Sequence, residues 1–435
     1  MNFIKNIIEK SHLILLTLFL LFIFPSFSQE IKKGEVYSYA RKIVDTLASK
    51  NMHGRGYING GDSIAANYLK TEFRKFGLRS FNDDYYQKFS FPVNTFPGEI
   101  NVKLDEKELL AGKDYIVFAY SPSATGKYPI VFVDEELVQK KRKLKKILKQ
   151  DFSNKIVVVN DTGKPTEQLH NLLGNSCNAK AVVALKDKLT WHVAQKTNDY
   201  PLIEIARSSF IKPTEISLLI ETKLIPDHTS QNVIGYIQGS EQPDSFIIFS
   251  AHYDHLGQMG KDVYFPGAND NASGCAMLLN LARYYSMTEH QPKCSIAFIA
   301  FCGEEVGLLG SKYYTEHPLF PLKNIKFLLN MDIMGTGEEG ITVVNGSVFK
   351  KEFDALKQIN TENNFIKEVK IRGKAANSDH YFFAENGVKA CFIYTLGGIK
   401  AYHDIYDRAE TLPLNEFENL FKLITAFGVY LQGSN

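Results

Sequence analysis

Five side chains that commonly bind metal ions occur in the second half of the chain, each close to a short apolar run. They are two imidazoles and three carboxylates: His252, Asp270, Glu305, Asp332 and His403. A ligand set of this kind, without thiolate, suits hydrolytic Zn²⁺ and tolerates Mn²⁺ or Co²⁺. An odd number of carboxylates lets one of them bridge two metals. The residue types therefore predict a centre that holds two zinc ions per chain.

The consecutive acids Glu304 and Glu305 can supply a base as well as a ligand. Two metals about 3.5–4 Å apart can hold a hydroxide between them, polarise a carbonyl and stabilise the oxyanion that forms. Consecutive side chains at a strand end point in different directions, so one can reach a metal while its neighbour faces the bound water. Proton abstraction by the unligated carboxylate then follows. Metal-dependent hydrolysis is the chemistry that these residues predict.

Two more polar residues follow His252 closely. Asp254 lies two positions later, and on the same strand face it would accept a hydrogen bond from the second imidazole N–H. Such a bond fixes the tautomer and raises the basicity of a ligand imidazole, so Asp254 is predicted to support catalysis. His255 has no comparable partner in the sequence and is expected to be a loop residue, or one that supports a metal ligand without binding metal itself.

Continuous apolar segments that run into these polar residues are predicted to be buried strands, at residues 246–250, 295–301, 327–329 and 390–394. Such segments are typical of a mainly parallel sheet that is covered on both faces, here by helices predicted at residues 274–287 and 353–360. Ligands of an open α/β sheet bind at the carboxyl edge of the strands, so the polar groups should converge in one crevice. The predicted fold class is α/β, with a mainly parallel or mixed sheet sandwiched by helices.

The first half of the chain has a different texture. Helical periodicity predicts helices at residues 34–50 and 62–76 with a glycine-rich loop between them. The segment 91–98 is broken twice by proline, and short strands are predicted after it, at residues 115–119, 130–133, 155–159 and 181–185. We therefore predict a catalytic domain built from residues 29–92 and 226–435, with a smaller α+β insert at residues 93–225.

Composition excludes several classes of protein. The 435 residues are 44% hydrophobic and 23% charged, which argues against a disordered or fibrous chain. Lys and Arg number 50 against 48 Asp and Glu, so a nucleic-acid partner is not expected. The basic run at residues 140–149 is predicted to be the solvated face of an amphipathic helix rather than a nucleic-acid or membrane patch. The five cysteines lack metal-type spacing and are predicted to be buried free thiols, although export would permit one bridge.

The first 28 residues have the layout of a secretory signal. Lys5 and Lys10 precede an apolar run at residues 13–24, which is followed by Pro25 and a small-x-small triplet at 26–28. A membrane span needs about 20 apolar residues, and this run is shorter. We expect cleavage before Gln29 and export to a periplasm or out of the cell, without stable membrane association afterwards. An uncleaved signal that anchors the protein in a membrane is the alternative.

Six short blocks resemble, in order, the di-zinc exopeptidase family of bacterial leucyl aminopeptidases, to which glutamate carboxypeptidases and glutaminyl cyclases are related. The blocks are HYDHLG at 252–257, GANDNASG at 267–274, EEVGLLGS at 304–311, NMD at 330–332, SDH at 378–380 and YH at 402–403. The resemblance implies one metal on His252 and Asp332, a second on Glu305 and His403, a bridge through Asp270, and Glu304 as general base. It also implies a cis peptide bond between Asp270 and Asn271.

The flanking regions are similar to the same family. The MHGRG segment at 52–56 resembles the N-terminal part of these proteins, and the insert is similar to protease-associated domains. That similarity implies a module that controls substrate access rather than chemistry. By the same resemblance Asp379 lies near the metals, and a helix cap is its alternative role.

The activity implied by the resemblance is removal of N-terminal residues from peptides, with several alternatives. A carboxypeptidase or dipeptidase of the same chemistry would need a cation for the substrate carboxylate, for which Arg55 and Arg372 are candidates. A glutaminyl cyclase is disfavoured because such enzymes typically carry Trp where this chain has Tyr402, and the only Trp is Trp191 in the insert. A non-catalytic binding protein should have lost ligands or base, and this chain keeps all six residues.

Overall fold

A computed structural model describes residues 34–134, 137, 141–161 and 166–433. The predicted signal at residues 1–28 lies outside the described residues. The helices are α1 (Glu35–Leu47), α2 (Gly61–Lys75), α3 (Lys141–Ile147), α4 (Glu167–Leu173), α5 (Gly274–Tyr285), α6 (Leu309–Glu316), α7 (Lys350–Asn363), α8 (His380–Glu385) and α9 (Phe417–Gly433). The strands up to the second half are β1 (Tyr86–Thr95), β2 (Ile100–Leu104), β3 (Lys107–Glu108), β4 (Tyr115–Val117), β5 (Ala124–Val133), β6 (Ile156–Asn160), β7 (Ala181–Lys186), β8 (Leu202–Ala206) and β9 (Glu215–Ile220). The remaining strands are β10 (Lys223–Ile237), β11 (Gln242–His252), β12 (Gln258–Met259), β13 (Val263–Tyr264), β14 (Cys294–Phe301), β15 (Ile325–Met331), β16 (Gly340–Val344), β17 (Val369–Ile371) and β18 (Ala390–Leu396).

The larger domain is built on an eight-stranded mixed sheet with the order β1-β10-β14-β11-β15-β18-β16-β17. Its four central strands, β14, β11, β15 and β18, pair in parallel. The carboxyl ends of these four strands therefore meet at one edge of the sheet. This edge is where the sequence analysis predicts the polar groups to converge.

Helices cover both faces of this sheet. Apolar residues of α1, α2, α5, α7 and α9 join one core cluster, while those of α6 and α8 join the cluster on the opposite face. All eight residues of β14 are buried, as expected for a strand that packs on both sides. The predicted helices and strands of this domain lie within a few residues of their observed positions. Strands β1, β10, β16 and β17 are additional to those predicted.

The second sheet contains the strands between β1 and β10, in the order β3-β2-β9-β5-β6-β7-β8-β4. Its parallel part comprises β5, β6, β7 and β8. The predicted boundaries of the insert fall in the two strands that lead into and out of this sheet, where Val93 pairs with Ile225. The insert therefore leaves and rejoins the larger domain through one antiparallel strand pair.

The first proline of the segment 91–98 lies inside a strand. No strand was predicted there, and β1 continues through Pro92 to Thr95. The register shifts between Phe91 and Val93, so a bulge falls at the proline. A bulge on an edge strand tolerates the missing N–H of proline, since no ladder hydrogen bond is required there.

The basic run forms a helix with an apolar face, as predicted. Leu144 of α3 is buried, and Leu137, Ile147 and Leu148 pack on the same cluster of the insert. Arg142 and Lys146 are exposed; Lys140 lies outside the described residues. Each of the five cysteines is a free thiol. Within the described part of the chain, no helix has the length and apolar character needed to cross a bilayer.

Candidate metal centre

The parallel strands β11 and β15 place His252 and Asp332 side by side. His252 is the last residue of β11, and Asp332 follows the last residue of β15. Nε2 of His252 lies 3.3 Å from Oδ1 of Asp332. Both side chains are buried, with 1% and 6% of the residue exposed. The carboxyl edge of the sheet thus brings together the first pair of predicted ligands.

A chain of hydrogen bonds connects the Asp332 carboxylate to the sheet through Ser378, in the loop before α8. Ser378 Oγ donates to Asp332 Oδ2 over 3.2 Å. Asn330 Nδ2 donates to Ser378 Oγ over 2.7 Å, and Ser250 Oγ donates to Asn330 Oδ1 over 2.8 Å. Because Ser250 and Asn330 lie on paired strands, the orientation of Asp332 is tied to the strand register.

Asp270 lies between the two predicted metal-binding imidazoles. Its Oδ1 is 3.3 Å from Nε2 of His252, and its Oδ2 is 3.0 Å from Nε2 of His403. The backbone N–H of Asp270 donates to Oδ2 of Asp407 over 3.0 Å, which fixes the turn at this point. The peptide bond to Asn271 is cis, as the resemblance implied. One carboxylate oxygen therefore faces each imidazole, which is the arrangement that a bridging ligand needs.

Glu305 and His403 form the second pair of predicted ligands, and both lie in loops. Glu305 follows β14, and His403 lies in the loop after β18. Oε2 of Glu305 is 3.2 Å from Nε2 of His403. The other oxygen, Oε1, is 2.7 Å from Nδ1 of His255. The structure thus brings all five predicted ligands into one crevice.

Opposite charges control protonation in this crevice. Burial alone would lower the pKa of His403, but the nearby Glu305 and Asp270 outweigh it and raise the pKa to about 11. Burial would raise the pKa of Glu305, but His403 and a hydrogen bond from His255 lower it to about 2. Hydrogen bonds from His252 and His403 likewise hold the pKa of Asp270 well below its usual range, against the effect of burial. Positive charge in the crevice therefore stabilises the ionised carboxylates of this network.

The donor set fits divalent cations. Donor atoms of His252, Asp270 and Glu305 all lie within 4.8 Å of one another, and so do those of His252, Glu304 and Asp332. Several carboxylates in one buried crevice repel each other unless cations compensate their charge. Oxygen and imidazole donors without thiolate suit Zn²⁺. The residues therefore fit zinc.

Glu304 lies on the side of His252 and Asp332. Burial raises the pKa of its carboxyl well above the usual range, and Glu305 adds to this effect while His252 opposes it. Glu304 is thus a buried carboxyl beside the predicted ligands His252 and Asp332.

The predicted partner of Asp254 was wrong. Its Oδ1 lies 3.9 Å from Nδ1 of His252, within ion-pair distance but too far for a hydrogen bond, and His252 instead contacts the backbone oxygen of Asp254 at 3.2 Å. The Asp254 carboxylate accepts hydrogen bonds from the backbone N–H of Glu304 at 3.3 Å and of Glu305 at 3.2 Å. It also accepts one from the hydroxyl of Tyr57 at 2.5 Å. Because β11 ends at His252, Asp254 lies beyond the strand and the alternation of strand faces does not apply to it.

Three other residues that the sequence analysis singled out can now be placed. Asp379 directly precedes α8, but its side chain makes no capping hydrogen bond, so the helix-cap alternative was wrong. It is fully buried near His252, and burial raises its pKa to about 7. Arg55 is also fully buried and donates to backbone oxygens that include those of Tyr253 and Asp270. Arg372 is exposed and donates to the hydroxyl of Tyr394 over 3.4 Å.

Three further residues support the centre: His255 in the supporting role that the sequence left open, and Asp407 and Tyr57, which sequence reasoning missed. His255 forms a hydrogen bond with the carboxylate of the predicted ligand Glu305. Its position three residues after His252 was the available signal in the sequence. The Asp407 carboxylate accepts hydrogen bonds from the backbone N–H groups of Asn269 and Asp270. Burial raises the pKa of Asp407 to about 7. Tyr57 reaches the centre from the loop before α2. Nothing local in the sequence marks Asp407 or Tyr57, because their partners are distant in the chain.

The insert contacts the loop that carries His403. The backbone N–H of Trp191 donates to the backbone oxygen of His403 over 2.9 Å. The Trp191 indole stacks on Phe265 with ring centroids 4.5 Å apart, and its Nε1 donates to the backbone oxygen of Val117 over 2.7 Å. Trp191 therefore connects the insert, the larger domain and a predicted ligand.

Three neighbours of Trp191 extend this contact. Nζ of Lys188 is 3.5 Å from Oδ2 of Asp404, the residue after His403. Gln195 donates to the backbone oxygen of Val306, the residue after Glu305, over 2.8 Å. The exposed His192 has its ring centroid 5.3 Å from that of His403. The insert loop 187–200 thus touches both loops that carry Glu305 and His403.

Part of the larger domain is similar to a known family. Residues 232–428 match the family described as Peptidase family M28. This match confirms the resemblance predicted from the sequence, and it supports a metallo-exopeptidase.

Three similar proteins illustrate the comparison. A probable zinc metalloprotease of Pyrenophora teres f. teres is 39% identical over 116 residues, which are 26% of this chain and 24% of that protein. Aminopeptidase YwaD of Bacillus subtilis is 28% identical over 273 residues, 58% of this chain and 57% of that one. This chain thus spans less than two thirds of the length of either relative. The solved structure of a zinc aminopeptidase from Bacillus subtilis has a TM-score of 0.70 at 21% identity and covers 90% of this chain and 94% of that one, which confirms the predicted fold class.

Proposed function

We propose that the chain is an exported, zinc-dependent aminopeptidase that hydrolyses N-terminal residues from peptides. The position of Asp270, whose two oxygens face His252 and His403 at 3.3 and 3.0 Å, is the observation that carries this proposal. The names of the similar zinc metalloprotease and aminopeptidase support it. Export rests on the secretory layout of residues 1–28.

The five ligand side chains would hold two zinc ions: His252 and Asp332 one of them, Glu305 and His403 the other, and Asp270 both. When bound, the two ions would hold a hydroxide between them and polarise the scissile carbonyl. Mn²⁺ or Co²⁺ could replace zinc, because nitrogen and oxygen donors also suit these ions.

Glu304 would act as the general base. Its carboxylate would take a proton from the attacking water and deliver it to the amine of the leaving peptide. The Asp254 carboxylate would support this step, because it holds the backbone N–H groups of Glu304 and Glu305. The two neighbouring side chains could then have separate roles, proton transfer for Glu304 and metal binding for Glu305.

The surroundings of Arg55 favour an aminopeptidase over a carboxypeptidase. A carboxypeptidase needs a cation that is free to bind the terminal carboxylate of its substrate. Arg55 is fully buried, and its guanidinium donates to the backbone oxygens of Leu47, Tyr253, Pro266, Gly267 and Asp270. These bonds keep the guanidinium away from substrate.

We assign the insert the role of a wall that limits access of the peptide to the metal centre. The contacts of Trp191 with His403 and of Gln195 with Val306 support a fixed wall. His192 is the exposed side chain of this loop beside a ligand, and it is therefore the residue that would meet the peptide first.

The proposal is tested with a leucyl peptide whose amine is either free or acetylated, together with the zinc content of the purified chain. The expected result is about two zinc ions per chain and cleavage of the free-amine peptide alone. Cleavage of the acetylated peptide from its carboxyl end would identify a carboxypeptidase instead. A single zinc ion with cyclisation of N-terminal Gln would identify a glutaminyl cyclase, and a zinc-loaded chain without turnover would identify a binding protein.

A further inference from the structure

Tyr57 completes a three-way hydrogen-bond junction at Asp254. Its hydroxyl donates to Oδ2 of Asp254 over 2.5 Å. The same carboxylate accepts the backbone N–H of Glu304 on Oδ1 and that of Glu305 on Oδ2. Tyr57 lies outside residues 232–428, the segment that matches the peptidase family. A residue from the N-terminal part of the chain is therefore joined, through one carboxylate, to the proposed base and its neighbouring ligand.

Packing fixes the Tyr57 ring in place. The ring is 5% exposed and makes edge contacts with Phe91 and His228, with centroids 5.2 and 5.4 Å away. The backbone beside it is equally confined, because a Cβ on Gly56 would come within 2.3 Å of the Cα of Gly257. The Tyr57 hydroxyl thus approaches Asp254 from a fixed position.

Asp254 has a competing partner on its other side. Nδ1 of His252 is 3.9 Å from Oδ1 of Asp254, slightly beyond hydrogen-bond distance. A small rotation of the Asp254 carboxylate toward the imidazole would close that gap and weaken its hydrogen bonds to the backbone of Glu304 and Glu305. The Tyr57 hydroxyl opposes this rotation because it holds Oδ2 on the side of Glu305.

We propose that Tyr57 is a positioning residue, which acts through Asp254 to hold the backbone of Glu304 and Glu305 so that the base and the ligand point to their separate tasks. The inference rests on the proposed function for the roles of these two acids. It extends the active site to the loop between α1 and α2. Replacing a residue that hydrogen-bonds or orients a metal ligand, without binding the metal itself, typically changes metal affinity or activity by 10- to 100-fold.

The test is Tyr57→Phe in the full zinc-loaded chain, because this change removes the hydroxyl and keeps the ring. We expect kcat to fall about tenfold with KM nearly unchanged, and zinc to bind about tenfold more weakly in competition with a chromogenic chelator. Tyr115→Phe is the matched control, since Tyr115 is 1% exposed and its hydroxyl donates to the backbone of Ile100 in the insert. Wild-type kcat and zinc affinity in Tyr57→Phe would overturn the proposal.

A double-mutant cycle with Asp254→Ala separates positioning from general loss of stability. If Tyr57 acts through Asp254, Tyr57→Phe should have no further effect on zinc affinity in the Asp254→Ala background. Additive effects in the cycle would overturn the proposal. A wild-type chain that binds zinc without cleaving peptides would contradict the proposed function, while the zinc affinities in the cycle would still decide the role of Tyr57.

Discussion

The two halves of the metal centre are built in different ways. His252 and Asp332 sit at the ends of the paired central strands β11 and β15, whereas Glu305 and His403 lie in loops beyond β14 and β18. We call the first pair the strand-held half and the second pair the loop-held half. Asp270 joins them, with one oxygen toward each half.

The supports of the two halves differ accordingly. The strand-held half is braced by a chain of hydrogen bonds that starts on the paired strands at Ser250 and Asn330 and reaches Asp332 through Ser378, in the loop before α8. The loop-held half is braced from other parts of the chain. His255 bonds Glu305, and the insert bonds the backbone of His403 through Trp191. A ligand on a strand inherits its position from the sheet, while a ligand on a loop depends on distant segments.

The largest effect is expected when Asp270, the residue that the two halves share, is replaced. Asp270→Ala should abolish peptide hydrolysis and release both zinc ions, because the change deletes a ligand from each half. Zinc content by atomic absorption and the rate on a leucyl peptide measure this. Asp244→Ala, at the exposed start of β11, is the control and should behave as wild type. Full occupancy by two zinc ions in Asp270→Ala would rule out a bridging role.

The second-largest expected effect is a loss of catalytic rate while zinc stays bound. Glu304→Gln should lower kcat by about 10²- to 10⁴-fold, since an amide cannot accept the proton of the attacking water. Zinc content should stay at the wild-type value because Glu304 is not a proposed ligand. Glu289→Gln is the control, since Glu289 is exposed and precedes β14 at the opposite edge of the sheet. An unchanged kcat in Glu304→Gln would eliminate this residue as the base.

A matched pair of variants compares the halves directly. His255→Ala removes the hydrogen bond to Glu305 in the loop-held half, and Ser378→Ala removes the one to Asp332 in the strand-held half. We expect zinc affinity to fall about 10- to 100-fold for His255→Ala and less for Ser378→Ala, because the strand still positions Asp332. Chelator competition with both variants measures the difference. Equal losses would show that the two halves do not differ in their need for support.

Protons should leave the loop-held half when metal binds. His403, between Glu305 and Asp270, is protonated below its pKa of about 11. A cation must displace this proton to reach the ring nitrogen, so zinc affinity should rise with pH across the range below that value. Calorimetric titration with zinc in two buffers of different ionisation enthalpy reports the released protons. Identical apparent enthalpies in the two buffers would contradict this protonation state.

The smallest expected effect is on selectivity. His192→Ala should change kcat/KM for tripeptides by a few fold and leave leucinamide hydrolysis nearly unchanged, because the side chain lies beside the centre and outside the ligand set. Steady-state kinetics on both substrates measure the ratio. A parallel loss on the two substrates would indicate that His192 acts on the centre itself.

Sequence reasoning predicted the strand-held half well. Continuous apolar segments identify the central strands, and the polar residues that follow them identify the edge where ligands meet. The five proposed ligands indeed lie together. Their grouping could be predicted because each is next to a recognisable strand or motif.

The supports were harder to predict. Asp254 was placed on His252 by strand alternation, but the strand ends at His252 and the carboxylate turns to the backbone of Glu304 and Glu305. Tyr57 and Trp191 reach the centre through tertiary contacts across more than a hundred residues of sequence. Periodicity and motif spacing contain no information about such contacts, because these depend on how the N-terminal segment and the insert pack on the larger domain.

The most direct test of the account is a zinc titration of the metal-free wild-type chain, with hydrolysis of a free-amine leucyl peptide followed at each step. We predict that the rate depends on zinc and reaches its plateau at about two equivalents per chain. A plateau at one equivalent would contradict the pairing of the two halves through Asp270. Full activity after thorough removal of metal would contradict the account as a whole.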